Sequence, residues 1–193
     1  TWSHICLLRD TSDNKLKLYH NGTLGQSLSV PSTVGILSSN SNTGVGGTGS
    51  QNFPGDIANL RVVNGTAITP TSSSILEKPT NVTNTVLLMI GGNFVDYSGN
   101  APQINNYYGP PQIKAYGPLD YTEYDATDNG GSIYFSGSSD YAQAASSSDF
   151  QFNDAPATIN FWFYPKSNSS DSLIDAYGNG TANSFHVYLN NGI

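Results

Sequence analysis

The chain has 193 residues, only 11% of them charged, and a formal net charge of −7. Its seven basic residues are scattered, which argues against nucleic acid or an anionic membrane surface as partner, because both need clustered positive charge. No apolar run approaches the roughly 20 residues that span a bilayer, and the longest, residues 86–90, is typical of a buried strand.

The first part of the chain predicts short strands joined by tight turns. Residues 2–9 and 16–20 alternate between apolar and polar side chains, as half-buried strands do. Asn21 and Gly22 follow at once, and this pair is a strong signal for a two-residue hairpin turn. Residues 55–63 predict a further strand.

The second part of the chain is richer in residues that interrupt strands and helices. Residues 70–85 are rich in Pro, Ser, Thr and Asn and are our candidate boundary. Residues 97–130 carry four prolines among many tyrosines, which predicts an extended connection. Residues 132–135 and 158–164 are again strand-like, and no helical period is sustained. The sequence therefore predicts an all-β antiparallel sandwich with long loops and almost no helix.

Four segments resemble laminin G-like domains of the concanavalin A-like lectin/glucanase superfamily, which have a jelly-roll fold. Residues 2–22 resemble a strand pair of pattern W-x-H … R … L-Y-x-N-G, and residues 53–62 resemble a later strand of pattern F-x-G-x-I-x-N-L-R-V. Residues 132–141 and 157–165 resemble the opening strands of the same family, S-x-x-F-S-G-x-x-D-Y and T-I-x-F-W-x-Y.

The order of these segments is second half, then first half. Two arrangements fit: a window across two neighbouring domains of a tandem array, or two halves that pair with each other as in a circular permutant. We favour the array. Residues 1–79 are then the second half of one domain, and residues 80–193 hold the connection (about 97–130) and the first half of the next. Because the chain opens inside a strand pattern and stops after an Asn-Gly turn, we expect a piece of a longer polypeptide.

Catalysis is not expected. The hydrolases of this superfamily would demand an E-x-D-x-x-E strand, and Glu123, Asp125 and Asp128 match it imperfectly because a turn-forming Asn-Gly-Gly follows them. Cys6, the only cysteine, predicts a small buried side chain. His4 occupies a strand position of the family, and we interpret it as structural.

Calcium is the cofactor that the resemblance implies, since family members often hold it near loop carboxylates and amides. Oxygen-rich loops suit this cation. The candidate ligands are Asp96, Ser98 and Asn100 in one loop, and Asp175 and Asn179 in another.

Glycan binding is the expected activity. Lectin sites commonly combine an aromatic platform with polar loops, and the candidate stacking residues are Tyr107, Tyr108, Tyr116, Tyr121 and Tyr124. We therefore expect a non-catalytic, lectin-like adhesion module of a larger extracellular or virion surface protein. The alternative is a purely structural repeat of a fibre, capsid or tail decoration. Expected partners are glycans and adjacent copies or domains of the same polypeptide, with no nucleic acid and no membrane insertion.

Overall fold

The computed structural model describes residues 1–31, 42–47, 52–100, 104–107, 109, 111–119, 131–167, 170–175 and 185–190, with backbone alone for 105–107. Within these ranges the chain forms β-strands and two single-turn 3₁₀ helices, Ser74–Leu76 and Ser148–Phe150, which confirms the predicted all-β class. The strands are β1 (Ser3–Asp10), β2 (Lys15–His20), β3 (Thr23–Ser29), β4 (Thr43–Val45), β5 (Pro54–Asn64), β6 (Thr85–Met89), β7 (Ile104–Tyr107), β8 (Gln112–Lys114), β9 (Ser132–Ser136), β10 (Tyr141–Ala144), β11 (Ala157–Pro165), β12 (Ser172–Asp175) and β13 (His186–Tyr188).

The strands form two antiparallel sheets. The large sheet has the order β3-β2-β1-β11-β5-β9-β8, with β6 also paired to β5, and the small sheet has the order β13-β12-β4-β10-β7. One hydrophobic core lies between them and takes side chains from both sheets. This is the predicted antiparallel sandwich.

The large sheet joins the two parts of the chain. Strand β11 lies between β1 and β5, with Ile5 opposite Phe161 and Ile57 opposite Phe163. The halves therefore pair with each other within this chain. Their assignment to neighbouring domains of a tandem array stays a prediction.

Alternation along β11 gives the large sheet two different faces. Ala157, Ile159, Phe161 and Phe163 enter the core between the sheets, which makes this the inner face. Thr158, Asn160, Trp162 and Tyr164 alternate with them and belong to the outer face. Most of these outer residues are also buried, so something must cover them.

The cover comes from a segment that overlaps the candidate boundary of the sequence analysis, residues 70–85. Residues 66–80, here called the cover segment, fold back over the outer face instead of leading away from the sheet. The 97–130 connection also differs from its prediction, although less. It contributes the short strands β7 and β8, which extend one end of each sheet.

Turn chemistry sets the β2–β3 hairpin. Asn21 and Gly22 have φ of 48° and 76°, the left-handed values that a two-residue hairpin turn of this kind requires. Gly22 also lies against the cover segment, where an added Cβ would come within 2.6 Å of the Ser72 backbone nitrogen. The predicted turn is thus confirmed and has a tertiary role as well.

Candidate ligand-binding site on the outer face

The register of three central strands brings polar and aromatic side chains together on the outer face. His4 of β1 lies opposite Trp162 of β11, and Asn160 of β11 lies opposite Arg61 of β5. Directly opposed residues in an antiparallel pair project from the same face. The sheet thus concentrates these four side chains although they are up to 158 positions apart in sequence.

The cover segment is fastened to this face by hydrogen bonds from β11. The Ile68 backbone N–H donates to Thr158 Oγ1 (2.8 Å), and the same hydroxyl donates to the Thr66 carbonyl (2.9 Å). The Trp162 indole N–H donates to the Ile75 carbonyl (3.2 Å), while the Ile75 side chain packs against Trp162. The segment is therefore a fixed wall and not a free linker.

A cavity of about 240 Å³ remains between the sheet and the cover segment. Its floor includes His4, Asn59, Arg61 and Asn160, and the cover segment supplies the other side. We call this cavity the outer-face pocket. Among the residues that the structure describes, Glu77 is the only carboxylate that lines it.

Arg61 supplies the positive charge on the floor of the pocket. Its Nε donates to Asn160 Oδ1 (3.2 Å) and its Nη1 donates to the Thr80 carbonyl (3.3 Å). Burial lowers the pKa of this guanidinium from its ordinary value, but an arginine stays protonated at neutral pH. Within the described part of the chain, no carboxylate forms an ion pair with it.

His4 is neutral at physiological pH. Burial, and then the nearby charges of Arg61 and His20, lower its pKa to about 4. Its ring meets Trp162 edge-on at 5.3 Å, and its backbone N–H donates to Asn21 Oδ1 (2.8 Å). The buried Nδ1 atom has no hydrogen-bond partner among the described residues. His4 therefore has a structural position, as interpreted, and also lines the pocket.

Cys6 lies two residues after His4 on β1, on the same face of the sheet, and its thiol is chemically unreactive. It is 1% exposed, and burial raises the pKa of its thiol to about 12. A reactive thiol needs the opposite, a lowered pKa and access to solvent. The interpretation of Cys6 as a small buried side chain is confirmed.

An aromatic group lies beside the pocket on the same sheet. Trp2 meets Tyr164 at 5.8 Å and Tyr116 at 6.2 Å between ring centroids, both edge-on, and these three residues are here called the aromatic cluster. Trp2 also packs against the Trp162 cluster that borders the pocket. Tyr116 is 45% exposed, so the cluster presents aromatic surface to solvent next to the cavity.

Tyr116 is held in place by a buried carboxylate. Its hydroxyl donates to Asp56 Oδ2 (2.6 Å), and Lys166 Nζ lies 3.3 Å from the same oxygen. Burial, together with this hydrogen bond, raises the pKa of Tyr116 above its ordinary value. The exposed ring is therefore fixed before any ligand arrives.

Of the five tyrosines predicted to bind glycan, Tyr116 is the one whose side chain the structure describes. Tyr107 is described in its backbone, where it pairs with Tyr141 in the small sheet. Tyr108, Tyr121 and Tyr124 lie outside the described residues. Stacking by these four stays a prediction.

Sequence reasoning missed Trp2, Tyr164, Arg61 and the cover segment as site residues. The available signal was the alternation of β11, which gives Asn160, Trp162 and Tyr164 one shared face. That signal shows which residues share a face, but it does not identify the segment that lies over them.

The predicted metal ligands have other tasks in the structure. Asp96 Oδ1 accepts from the Leu88 and Ser98 backbone N–H groups (2.8 and 3.0 Å), and its Oδ2 accepts from the Ser98 hydroxyl (2.5 Å). The Asn100 side-chain amide donates to the Thr85 carbonyl (2.7 Å). These contacts fasten the loop to β6, and calcium binding by this loop stays a prediction.

The second candidate loop is described only in part. Asp175 lies in β12, with its Oδ2 3.7 Å from His186 Nε2, and Asn179 lies outside the described residues. The described ranges hold no group of three or more His, Cys, Asp or Glu side chains placed to bind one metal ion. Calcium binding stays a prediction.

Glu123, Asp125 and Asp128, the imperfect match to a hydrolase strand, also lie outside the described residues. In the part of the chain that the structure describes, no helix has the length and apolar character needed to cross a membrane.

The sequence itself supports a family assignment for the part that carries much of the pocket floor. Residues 1–72 match the model of a laminin G-type family, described as the concanavalin A-like lectin/glucanases superfamily. The matched range includes β1 to β5, with His4 and Arg61. No curated protein and no solved structure matches the chain. Over residues 1–72 the chain is therefore similar to a laminin G-type family of the concanavalin A-like lectin/glucanase superfamily, as its strand motifs indicated.

Proposed function

We propose that this protein is a non-catalytic, lectin-like adhesion module that binds cell-surface glycans through the outer face of its large sheet. The observation that carries the proposal is the aromatic cluster beside a cavity with polar walls. Sugar rings present apolar C–H faces and hydroxyl edges. A site that binds them therefore needs an exposed aromatic surface and hydrogen-bonding groups within reach of each other.

The aromatic cluster supplies the stacking surface. Tyr116 is about half exposed, and its hydroxyl is fixed by Asp56, so the ring loses little freedom when a ligand packs on it. Trp2 and Tyr164 support it from the sheet. The neighbouring pocket offers amide and guanidinium donors to sugar hydroxyls.

The pocket chemistry favours binding over hydrolysis. Most glycoside hydrolases use two carboxyl groups on either side of the scissile bond. Among the described residues, the pocket lining has the single carboxylate of Glu77, which is exposed. The described lining can therefore hold a glycan, and it contains no pair of carboxyl groups of the kind that hydrolysis uses.

An extracellular location, on a cell or virion surface, follows from the same proposal. Glycan ligands of adhesion modules are outside cells, and laminin G-like domains are typically extracellular. An abundance of Asn, Ser, Thr and Gly with few charged residues suits such a protein.

A glycan array probed with the 193-residue chain tests the proposal. Trp2→Ala and Tyr116→Ala should each weaken binding about tenfold or more, because each removes stacking area. Tyr188→Ala is the matched control, since Tyr188 is exposed on the small sheet, away from the cluster. Binding that Tyr116→Ala leaves intact would contradict the proposed site. A parallel array with a chelator tests the calcium prediction.

The structural-repeat alternative has one observation in its favour. Leu18, Leu24 and Leu28 are 36%, 48% and 64% exposed on β2 and β3, at one edge of the large sheet. Apolar side chains along an open edge suit contact with a neighbouring domain. An array with no binding, together with self-association that Leu28→Ser abolishes, would favour this alternative.

A further inference from the structure

Arg61 brings to the outer-face pocket a positive charge with which no carboxylate of the described residues forms an ion pair. Arg61 contacts two neutral acceptors, the Asn160 amide oxygen and the Thr80 carbonyl. A partly buried charge is costly unless an opposite charge or several hydrogen bonds compensate it. In the described part of the chain no carboxylate compensates Arg61, so the pocket is set up to attract an anionic group.

Hydrogen-bond donors remain in excess around this charge. A guanidinium has five N–H groups, and the two contacts of Arg61 use two of them. Asn160 and Asn59 accept hydrogen bonds through their amide oxygens, from Arg61 and from the Gly91 backbone N–H. No protein partner within the described ranges takes their NH₂ groups. A ligand that brings acceptor oxygens would satisfy these donors.

His4 contributes a neutral, buried side chain to the pocket lining. It is 2% exposed and lines the pocket, and its Nδ1 has no hydrogen-bond partner among the described residues. Buried polar atoms are normally paired, so this unpaired nitrogen is an unusual feature of a residue in the pocket lining.

We infer that the outer-face pocket recognises the carboxylate of an acidic sugar, such as a hexuronic acid, through Arg61 and the amides of Asn59 and Asn160. This inference rests on the proposed function, because it names the glycan class that the site binds. The pocket takes the charged residue of the glycan, and the aromatic cluster takes a neighbouring sugar ring.

Size and charge distinguish a single carboxylate from a dense polyanion. At about 240 Å³ the cavity is smaller than most drug-sized ligand pockets, so it suits one charged sugar residue. The chain carries a net charge of −7, and the pocket lining adds the carboxylate of Glu77 beside the ammonium of Lys78. The net charge of the chain repels a highly sulfated polymer, whereas a planar carboxylate pairs well with one guanidinium.

The test uses ligand pairs that differ in the carboxylate alone. Oligogalacturonides and glucuronic acid-terminated oligosaccharides are each compared with their methyl esters by calorimetry. The acid should bind about tenfold to a hundredfold more tightly than its ester. Arg61→Gln should abolish that preference, and Lys15→Gln, which removes the same charge from β2, should preserve it.

Glu77→Gln keeps the test decisive if Arg61→Gln fails to fold. Glu77 is exposed and forms no contact that the fold requires in the described part of the chain, so its neutral variant should fold. Loss of this carboxylate should tighten binding of the acid and leave binding of the ester unchanged. Equal effects on acid and ester would overturn the inference.

The two proposals fail in different ways. Binding of neutral glycans or esters through Tyr116, with no preference for the acid, overturns the carboxylate inference and leaves the lectin proposal standing. Absence of binding to every neutral and acidic glycan overturns both. A preference for the acid that survives in Arg61→Gln overturns the assignment to this pocket.

Discussion

At the scale of single residues, burial sets the chemistry of the outer-face pocket. His4 and Cys6 lie two positions apart on β1, and the same burial keeps the imidazole neutral and the thiol protonated. Desolvation disfavours the charged form of each group, which lowers the pKa of the histidine and raises that of the cysteine. The pocket floor therefore carries one positive charge, on Arg61, at neutral pH.

The lowered pKa of His4 predicts a loss of stability in acid. The unfolded chain takes up the His4 proton near pH 6.5, and the folded chain takes it up only near pH 4. Between these values the unfolded state binds more protons, so the free energy of unfolding falls as the pH falls from 6.5 toward 4. The loss from His4 between pH 7 and pH 5 should be about 2 kcal/mol, measured by urea unfolding.

Two variants isolate this contribution. His4→Gln should reduce the difference in unfolding free energy between pH 7 and pH 5, because the titrating group is gone. His186→Gln is the control, since His186 is exposed on β13 in the small sheet. A pH dependence that is the same in His4→Gln and in the unsubstituted chain would contradict the lowered pKa.

At the scale of elements, the central strand β11 serves both faces of the large sheet. Its inner residues, including Phe161 and Phe163, fill the core, while its outer residues hold the cover segment. Thr158 is fully buried and exchanges two hydrogen bonds with that segment. Thr158 thus helps to hold the pocket wall in place, together with Trp162 of the same strand.

Thr158→Val tests this dependence. Valine keeps the shape of the side chain but leaves the Ile68 N–H and the Thr66 carbonyl without their partner. Unfolding free energy should fall by about 1–3 kcal/mol. Hydrogen exchange should show faster exchange at Ile68 than in β11 itself. Thr23→Val, at an exposed position of β3, should change neither quantity.

At the scale of the whole molecule, the core is shared between the two parts of the chain. Phe53, Ile57 and Leu60 from the first part pack in the same cluster as Phe135 and Phe161 from the second. Each part alone would expose these side chains and the unpaired edges of its strands. Cooperative folding therefore needs both parts.

Fragments 1–79 and 80–193 should therefore be unfolded alone and should form a folded one-to-one complex when mixed. Circular dichroism of each fragment, and size-exclusion chromatography of the mixture, would measure this. Phe161→Ala in the second fragment should weaken the complex, because it removes a large buried side chain. Stable folding of either fragment alone would contradict a shared core.

The sequence by itself determined the fold class, the longer strands and the Asn21–Gly22 turn. These features depend on local properties: the two-residue period of a strand, and the ability of Asn and Gly to adopt positive φ. The family motifs within residues 1–72 reflect the same local patterns, and this range matches a laminin G-type family model. The burial of Cys6 followed from its apolar neighbours in a strand.

The tertiary structure alone decided which strands meet and where the pocket lies. Strand β1 pairs with β11 across about 150 residues, and that register brings His4 to Trp162 and Asn160 to Arg61. The composition of the cover segment is typical of a polar linker. The groups of this segment that bond to β11 are backbone N–H and C=O groups, which every residue type except proline carries, so the sequence does not mark them. Long-range strand pairing and backbone hydrogen bonds have little effect on the local residue pattern. The location of the site is therefore known only from the folded chain.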